Sequence, residues 1–157
     1  MIVVSDSTTL IILSDLDRLS YLQNLFSIIY IPPKVYEEIS FKKDFKLPKF
    51  IKISKPKNLA QIQELKMLLD EGESEAIALS EEKQLPLIID EKKGRKIAKN
   101  LSLDVLGLLG IIYLNIKKEY ISIKEAKDFL KRAKDNNYRI SEKLINDMFN
   151  SLEKGKK

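Results

Sequence analysis

The apolar positions fall into short β-branched runs separated by stretches with helical spacing. Ile2-Val3-Val4 is one such run; it stops at Ser5-Asp6-Ser7-Thr8-Thr9, and Leu10-Ile11-Ile12-Leu13 resumes with a helical look. A buried strand that passes directly into a helix is the reading. Leu19, Leu22, Leu25 and Phe26 keep the spacing of a second helix, and Ser27-Ile28-Ile29-Tyr30-Ile31 is strand-like. Pro32-Pro33 ends that strand and opens a short helix carrying Val35, Glu37, Glu38 and Ile39. A strand follows at Phe50 to Ile53, then an amphipathic helix on Ile62, Leu65, Leu68 and Leu69 that ends near Asp70-Glu71-Gly72. Another helix opens at Glu73 or Ser74 and runs to about Lys83. Pro86-Leu87-Ile88-Ile89 is the next strand and leads through Asp90-Glu91 into a basic helix from Lys92 to Asn100. Leu103 to Leu106 gives one more strand, and Gly107 to Lys117 an almost wholly apolar helix.

Short apolar strands alternating with helices are the signature of a parallel sheet covered on both faces. The expected fold is α/β, three layers α/β/α with a central parallel sheet of about four to five strands, plus C-terminal helices. The last third is helical only. Ser122 and Glu125 make a capping box ahead of Ala126, Phe129, Leu130 and Ala133, and Ser141 starts a final helix with Leu144, Ile145, Met148, Phe149 and Leu152 on one side. There is no repeat and no linker, so residues 1–150 form one domain and residues 151–157 a frayed basic tail. The helix over 107–117 lacks a polar face, and is therefore buried in this domain or shared with a second copy in a homodimer.

Composition narrows the chemistry. A chain of 157 residues suits a single domain, and it contains no histidine and no cysteine. Imidazole and thiolate nucleophiles, imidazole zinc sites and disulfides are thereby excluded, and a reducing compartment is natural. Polar chemistry must come from 23 carboxylates, 28 cationic side chains, hydroxyls and the backbone, a donor set suited to Mg²⁺ or Mn²⁺. The net charge of +5 makes a polyanionic partner plausible, although Lys154, Lys156 and Lys157 supply part of it. The start of the chain has no basic region ahead of its apolar run, and the longest apolar stretch, Val105 to Ile116, is about half a membrane span. A cytoplasmic location without membrane contact is expected.

Two strands end alike, at Asp6 and at Asp90, and both carboxylates would emerge in the crevice beyond the strands' carboxyl ends, where open parallel sheets bind ligands. The plainer account is that each caps the helix that follows. Glu75 lies on a face with Ala78, Leu79 and Glu82, and Glu73 one turn before Ala76 and Ile77. The helix dipole alone favours acids in such a first turn. Glu38 in the short helix is a fourth candidate, with an exposed helix acid as its plainer account. Four carboxylates held together repel one another unless a cation neutralises them, and a carboxylate-bound divalent pair suits phosphodiester hydrolysis.

In these residues the chain resembles a PIN domain, in particular the small prokaryotic PIN-like group related to VapC toxins and described as predicted nucleic-acid-binding proteins. The resemblance rests on Val3-Val4-Ser5-Asp6-Ser7-Thr8-Thr9-Leu10-Ile11, Ile31-Pro32-Pro33-Lys34-Val35-Tyr36-Glu37-Glu38-Ile39, Gly72-Glu73-Ser74-Glu75-Ala76-Ile77-Ala78-Leu79 and Leu87-Ile88-Ile89-Asp90-Glu91-Lys92-Lys93-Gly94-Arg95, in the family's order over residues 1 to about 115. It implies a metal-dependent endoribonuclease acting on single-stranded RNA, often the toxin of a toxin–antitoxin pair, with Mg²⁺ or Mn²⁺ as cofactor and an antitoxin and a homodimer as partners. Carried over by position, Asp6 matches the first metal-binding Asp and Thr8 the residue that steadies it. Glu38 matches the second acid, Glu75 the helix acid, and Asp90 or Glu91 the last one, with Glu73 a further candidate ligand. Many relatives have Asp where Glu75 stands, and Gly94 replaces a more usual Ala.

The substrate side is basic. Lysines 42, 43, 46, 49, 52, 55 and 57, interleaved with Phe41, Phe45 and Phe50, could track a phosphate backbone and stack bases, but a solvated loop with its phenylalanines anchored in the core is the simpler account. Lys92, Lys93, Arg95 and Lys96 directly follow the proposed site and are the candidate RNA-binding residues, or else an ordinary helix surface. The alternative function is a noncatalytic RNA-binding or protein-interaction module on the same fold. An aspartyl-phosphate enzyme built on Asp6 is weaker, because its usual second Asp is Thr8 here.

Overall fold

The computed structural model describes residues 1–42 and 45–154; Lys43 of the basic segment and residues 155–157 of the expected tail lie outside the described residues. Five strands form one wholly parallel sheet: β1 (Ile2–Ser5), β2 (Ile28–Ile31), β3 (Ile51–Ile53), β4 (Leu87–Ile88) and β5 (Val105–Leu106), in the order β3-β2-β1-β4-β5. Val3, Val4, Ile29, Leu87 and Ile88 are at most 1% exposed, as expected of inner strands covered on both faces.

Nine helices are described: α1 (Ser7–Asp15), α2 (Ser20–Gln23), α3 (Pro33–Lys42), α4 (Leu59–Leu65), α5 (Glu71–Lys83), α6 (Lys92–Asn100), α7 (Leu108–Lys117), α8 (Ile123–Asp135) and α9 (Glu142–Lys154). α5 packs on β1 and β4 and against α3 and α4, whereas α7 packs on β5 and against α2, α8 and α9. The three-layer α/β/α fold is therefore present. The chain grows outward from β1 to β2 and β3 on one side, and β4 and β5 lie on the other. Its topological switch point thus falls between β1 and β4, where a crevice must open beyond their carboxyl ends.

Several boundaries differ from expectation for local reasons. Asp70 does not close a helix but opens α5: its side chain accepts the Glu73 backbone N–H at 2.8 Å, the N-cap bond of a helix that starts at Glu71. α9 continues through Lys154 with Leu152 buried, so the first residues assigned to the tail are helical. One face of the apolar helix α7, with Leu108, Ile111, Ile112 and Ile116, is buried against α2, α8 and α9, while Leu109, Tyr113 and Leu114 stay half-buried; its inward polar side chain, Asn115, bonds the Tyr21 and Ile111 carbonyls and Asn24. In the basic segment Phe45 and Phe50 pack against the core, but Phe41 is 92% exposed. Among the described residues no helix is long and apolar enough to cross a membrane.

Candidate functional site

Asp6 stands where the central strand ends and α1 begins, and its backbone N–H is tied to the Ile88 carbonyl of β4 at 2.9 Å. It occupies the N-cap position in an extended conformation, yet its side chain makes no capping hydrogen bond. The carboxyl is 4% exposed, and its Oδ1 is buried without a partner. Burial pushes its pKa up to about 7, opposed by a hydrogen bond from the Ser7 backbone and reinforced by the charges of Asp70, Glu38 and Glu91. A capping role therefore does not account for Asp6.

The surrounding acids come from three helices. Glu38 on α3 accepts the Ser7 hydroxyl at 2.8 Å, and burial and the charge of Asp70 hold its pKa above the usual range. It lies so close to α5 that a Cβ on Gly72 would fall 2.2 Å from its Oε1, so only glycine fits at that position without moving the carboxylate. Glu73, buried in the first turn of α5, has its pKa raised by burial, by a side-chain hydrogen bond to Asp70, and by the charges of Asp70, Asp6 and Glu91. Glu91 caps α6, accepting the Gly94 N–H at 2.7 Å. A Cβ on Gly94 would meet Ile89 Cδ1 at 2.6 Å, Glu73 Oε2 at 3.2 Å and Glu91 Oε2 at 3.5 Å, so Gly94 admits both carboxylates to one place. An alanine there would touch both Glu73 and Glu91.

Asp6, Glu38, Asp70, Glu73 and Glu91 thus act on one another around the switch point. Asp70 is not among the acids that the pattern singles out, because Asp70-Glu71-Gly72 reads as the end of a helix; an Asp with Glu three residues on, the spacing of a capping pair, is the signal that marks it. Two expected site residues, Glu75 and Asp90, bond to the starts of other helices. Glu75 accepts the Lys34 backbone N–H at 3.2 Å and so caps the first turn of α3. Asp90 accepts the Leu108 N–H at 3.2 Å at the start of α7, and a Cβ on Gly107 would fall 2.7 Å from its Oδ1. Thr8 is exposed on the wall of a 540 Å³ groove that Glu38, Asp70 and Phe41 also line, and it is Ser7, one residue earlier, that contacts Glu38.

Beyond Asp90, Lys92, Arg95, Lys96 and Lys99 border a second groove of 670 Å³, four cations at helical spacing along one face of α6. None of them forms an ion pair among the described residues, and Lys93 is not part of this stripe.

Among the described residues no three carboxylates stand in metal-ligating geometry. The donor set nevertheless fits a hard divalent cation: it is all oxygen, it includes the orphaned Oδ1 of Asp6, and burial, with the charges of neighbouring acids added, raises its pKa values in the way that a neutralising cation would relieve.

A family model described as a PIN domain matches residues 2–154. The fold is similar to that of a PilT N-terminus domain protein from the hyperthermophilic archaeon Sulfolobus solfataricus, with a TM-score of 0.52 and 19% identity over 71% of this chain and 90% of that one. A search of curated proteins gave no match.

Proposed function

Because the chain belongs to the PIN domain family, whose members are generally metal-dependent nucleases, we propose that it is a Mg²⁺- or Mn²⁺-dependent endoribonuclease that hydrolyses single-stranded RNA in the Asp6 crevice. The observation that carries this reading is the Asp6 carboxyl, buried at the switch point, unpartnered at Oδ1, and surrounded by acids.

Asp6, Glu38 and Glu73 would hold the metal, with Asp70 and Glu91 closing on it from the exposed rim. A bound divalent ion there supplies a water acidic enough to attack a phosphodiester near neutral pH. Ser7 fixes the Glu38 carboxylate through its hydroxyl and offers its backbone N–H to Asp6. Glu75 and Asp90 act as positioning residues: the first ties the start of α3, which carries Glu38, and the second ties the start of α7. Lys92, Arg95, Lys96 and Lys99 hold the substrate's phosphates outside the acidic crevice, where a polyanion would otherwise be repelled. A cytoplasmic toxin with an antitoxin partner, working as a homodimer, is the cellular form of the same reading.

The assignment is tested by pairing the two helix acids. Glu73→Gln is expected to abolish Mn²⁺-dependent RNA cleavage, and Glu75→Gln to retain it with a lowered melting temperature; the opposite pattern would return the ligand role to Glu75. That no three carboxylates among the described residues stand in ligating geometry favours one second reading, a noncatalytic RNA-binding module. Salt-sensitive RNA binding that needs no metal and yields no products would select it.

A further inference from the structure

Phe41 is the most exposed large apolar side chain among the described residues, at 92%, although two other phenylalanines of the same segment are packed on the core. It stands three residues after Glu38 on α3, so the ring and the carboxylate share one helix face about one turn apart. Both line the 540 Å³ groove, together with Asp70 and, from α1, Thr8 and Ile11. A strand that follows this groove to the carboxylates meets an aromatic side chain from α3 and an aliphatic one from α1.

We propose that Phe41 is a specificity-determining residue: it stacks the base next to the scissile phosphate and thereby restricts the site to single-stranded RNA. This rests on the nuclease reading above and adds to it the feature by which the strand is read. A base within a duplex already has both faces covered by its neighbours, so it cannot lie on Phe41 without being unstacked. A single strand presents those faces at little cost, and base–aromatic stacking tolerates any sequence. Charge alone would not discriminate in this way, since a duplex offers phosphates at higher density.

The chain contains no tryptophan, so a Phe41→Trp variant carries a single indole at the groove. In an Asp6→Asn background, to prevent turnover, its fluorescence is expected to be quenched saturably by a single-stranded oligouridylate and left unchanged by an RNA duplex of equal length. A Tyr120→Trp control, 53% exposed beyond the far end of α7, should respond to neither. In the otherwise native chain, Phe41→Ala should raise KM for single-stranded RNA roughly tenfold with kcat held, and Phe41→Tyr should restore it. Equal quenching by duplex, no quenching at all, or emission that shifts with protein concentration in the absence of RNA, as a second copy covering the ring would produce, overturns the proposal. Cleavage by the native chain without quenching defeats the stacking role alone. Quenching by single strands without cleavage upholds that role while defeating the nuclease reading.

Discussion

A methyl group at position 72 would lie 2.2 Å from Glu38 Oε1, so the glycine there makes room for that carboxylate rather than serving a left-handed turn. In the first turn of a helix, alanine should help the backbone, by up to about 1 kcal/mol. Gly72→Ala is accordingly expected to fold with unchanged or higher melting temperature while losing cleavage by about 100-fold, because Glu38 is pushed from its place. Thermal melts and initial rates on one preparation check this; a variant with full activity would mean that Glu38 is not needed where it stands. At the same scale the sequence was legible in kind but not in register. Asp6 and Glu38 could be read from the strand ends and the Pro-Pro turn; the pattern left Glu73 or Glu75 and Asp90 or Glu91 open as candidates, and Ser7, which contacts Glu38, lies one residue from the expected Thr8. Helix residues that close together point in different directions, and which one faces the crevice is fixed by tertiary packing that the linear pattern does not encode.

At the scale of the element, α6 gathers four of its cations in one stripe. Lys92, Arg95, Lys96 and Lys99 line one groove, and the helix begins at the Glu91 cap beside the acidic site. Lys96→Gln and Lys99→Gln are each expected to weaken RNA binding uniformly across sequences and to reduce the salt slope by about one. Lys93→Gln, outside the stripe, should leave both unchanged, and nitrocellulose-filter titrations at several salt concentrations would separate them. The basic helix and its limits were visible in the sequence because its end signals are local. The helix start at Asp70 was not, because Asp70-Glu71-Gly72 reads equally well as an ending and only the hydrogen bond to Glu73 decides the matter.

For the whole molecule, the switch point between β1 and β4 gathers like charges at one edge and leaves a stability cost there. The Asp6 pKa is raised in the folded protein from 3.8 to about 7, so its contribution to stability is fully present below its unfolded value and is lost as pH rises through 7. Without divalent ions, the protein should therefore lose on the order of 2 kcal/mol between pH 5 and pH 8 from this group. Asp6→Asn should flatten that loss, and Mn²⁺ should raise the melting temperature more at pH 8 than at pH 5. Melts across pH with and without chelator give the answer; a melting temperature that climbs with pH in chelator would remove the buried acid from the account. The parallel order of the sheet followed from alternating strands and helices, and the sheet in turn made the crevice foreseeable before its occupants were. The most direct test of that crevice as a metal-dependent active site is cleavage of a single-stranded RNA by the purified chain with Mn²⁺ and with excess chelator, alongside Asp6→Asn. Products that form with Mn²⁺ alone and vanish in the variant are the predicted result, and undiminished cleavage in chelator or by Asp6→Asn would contradict it.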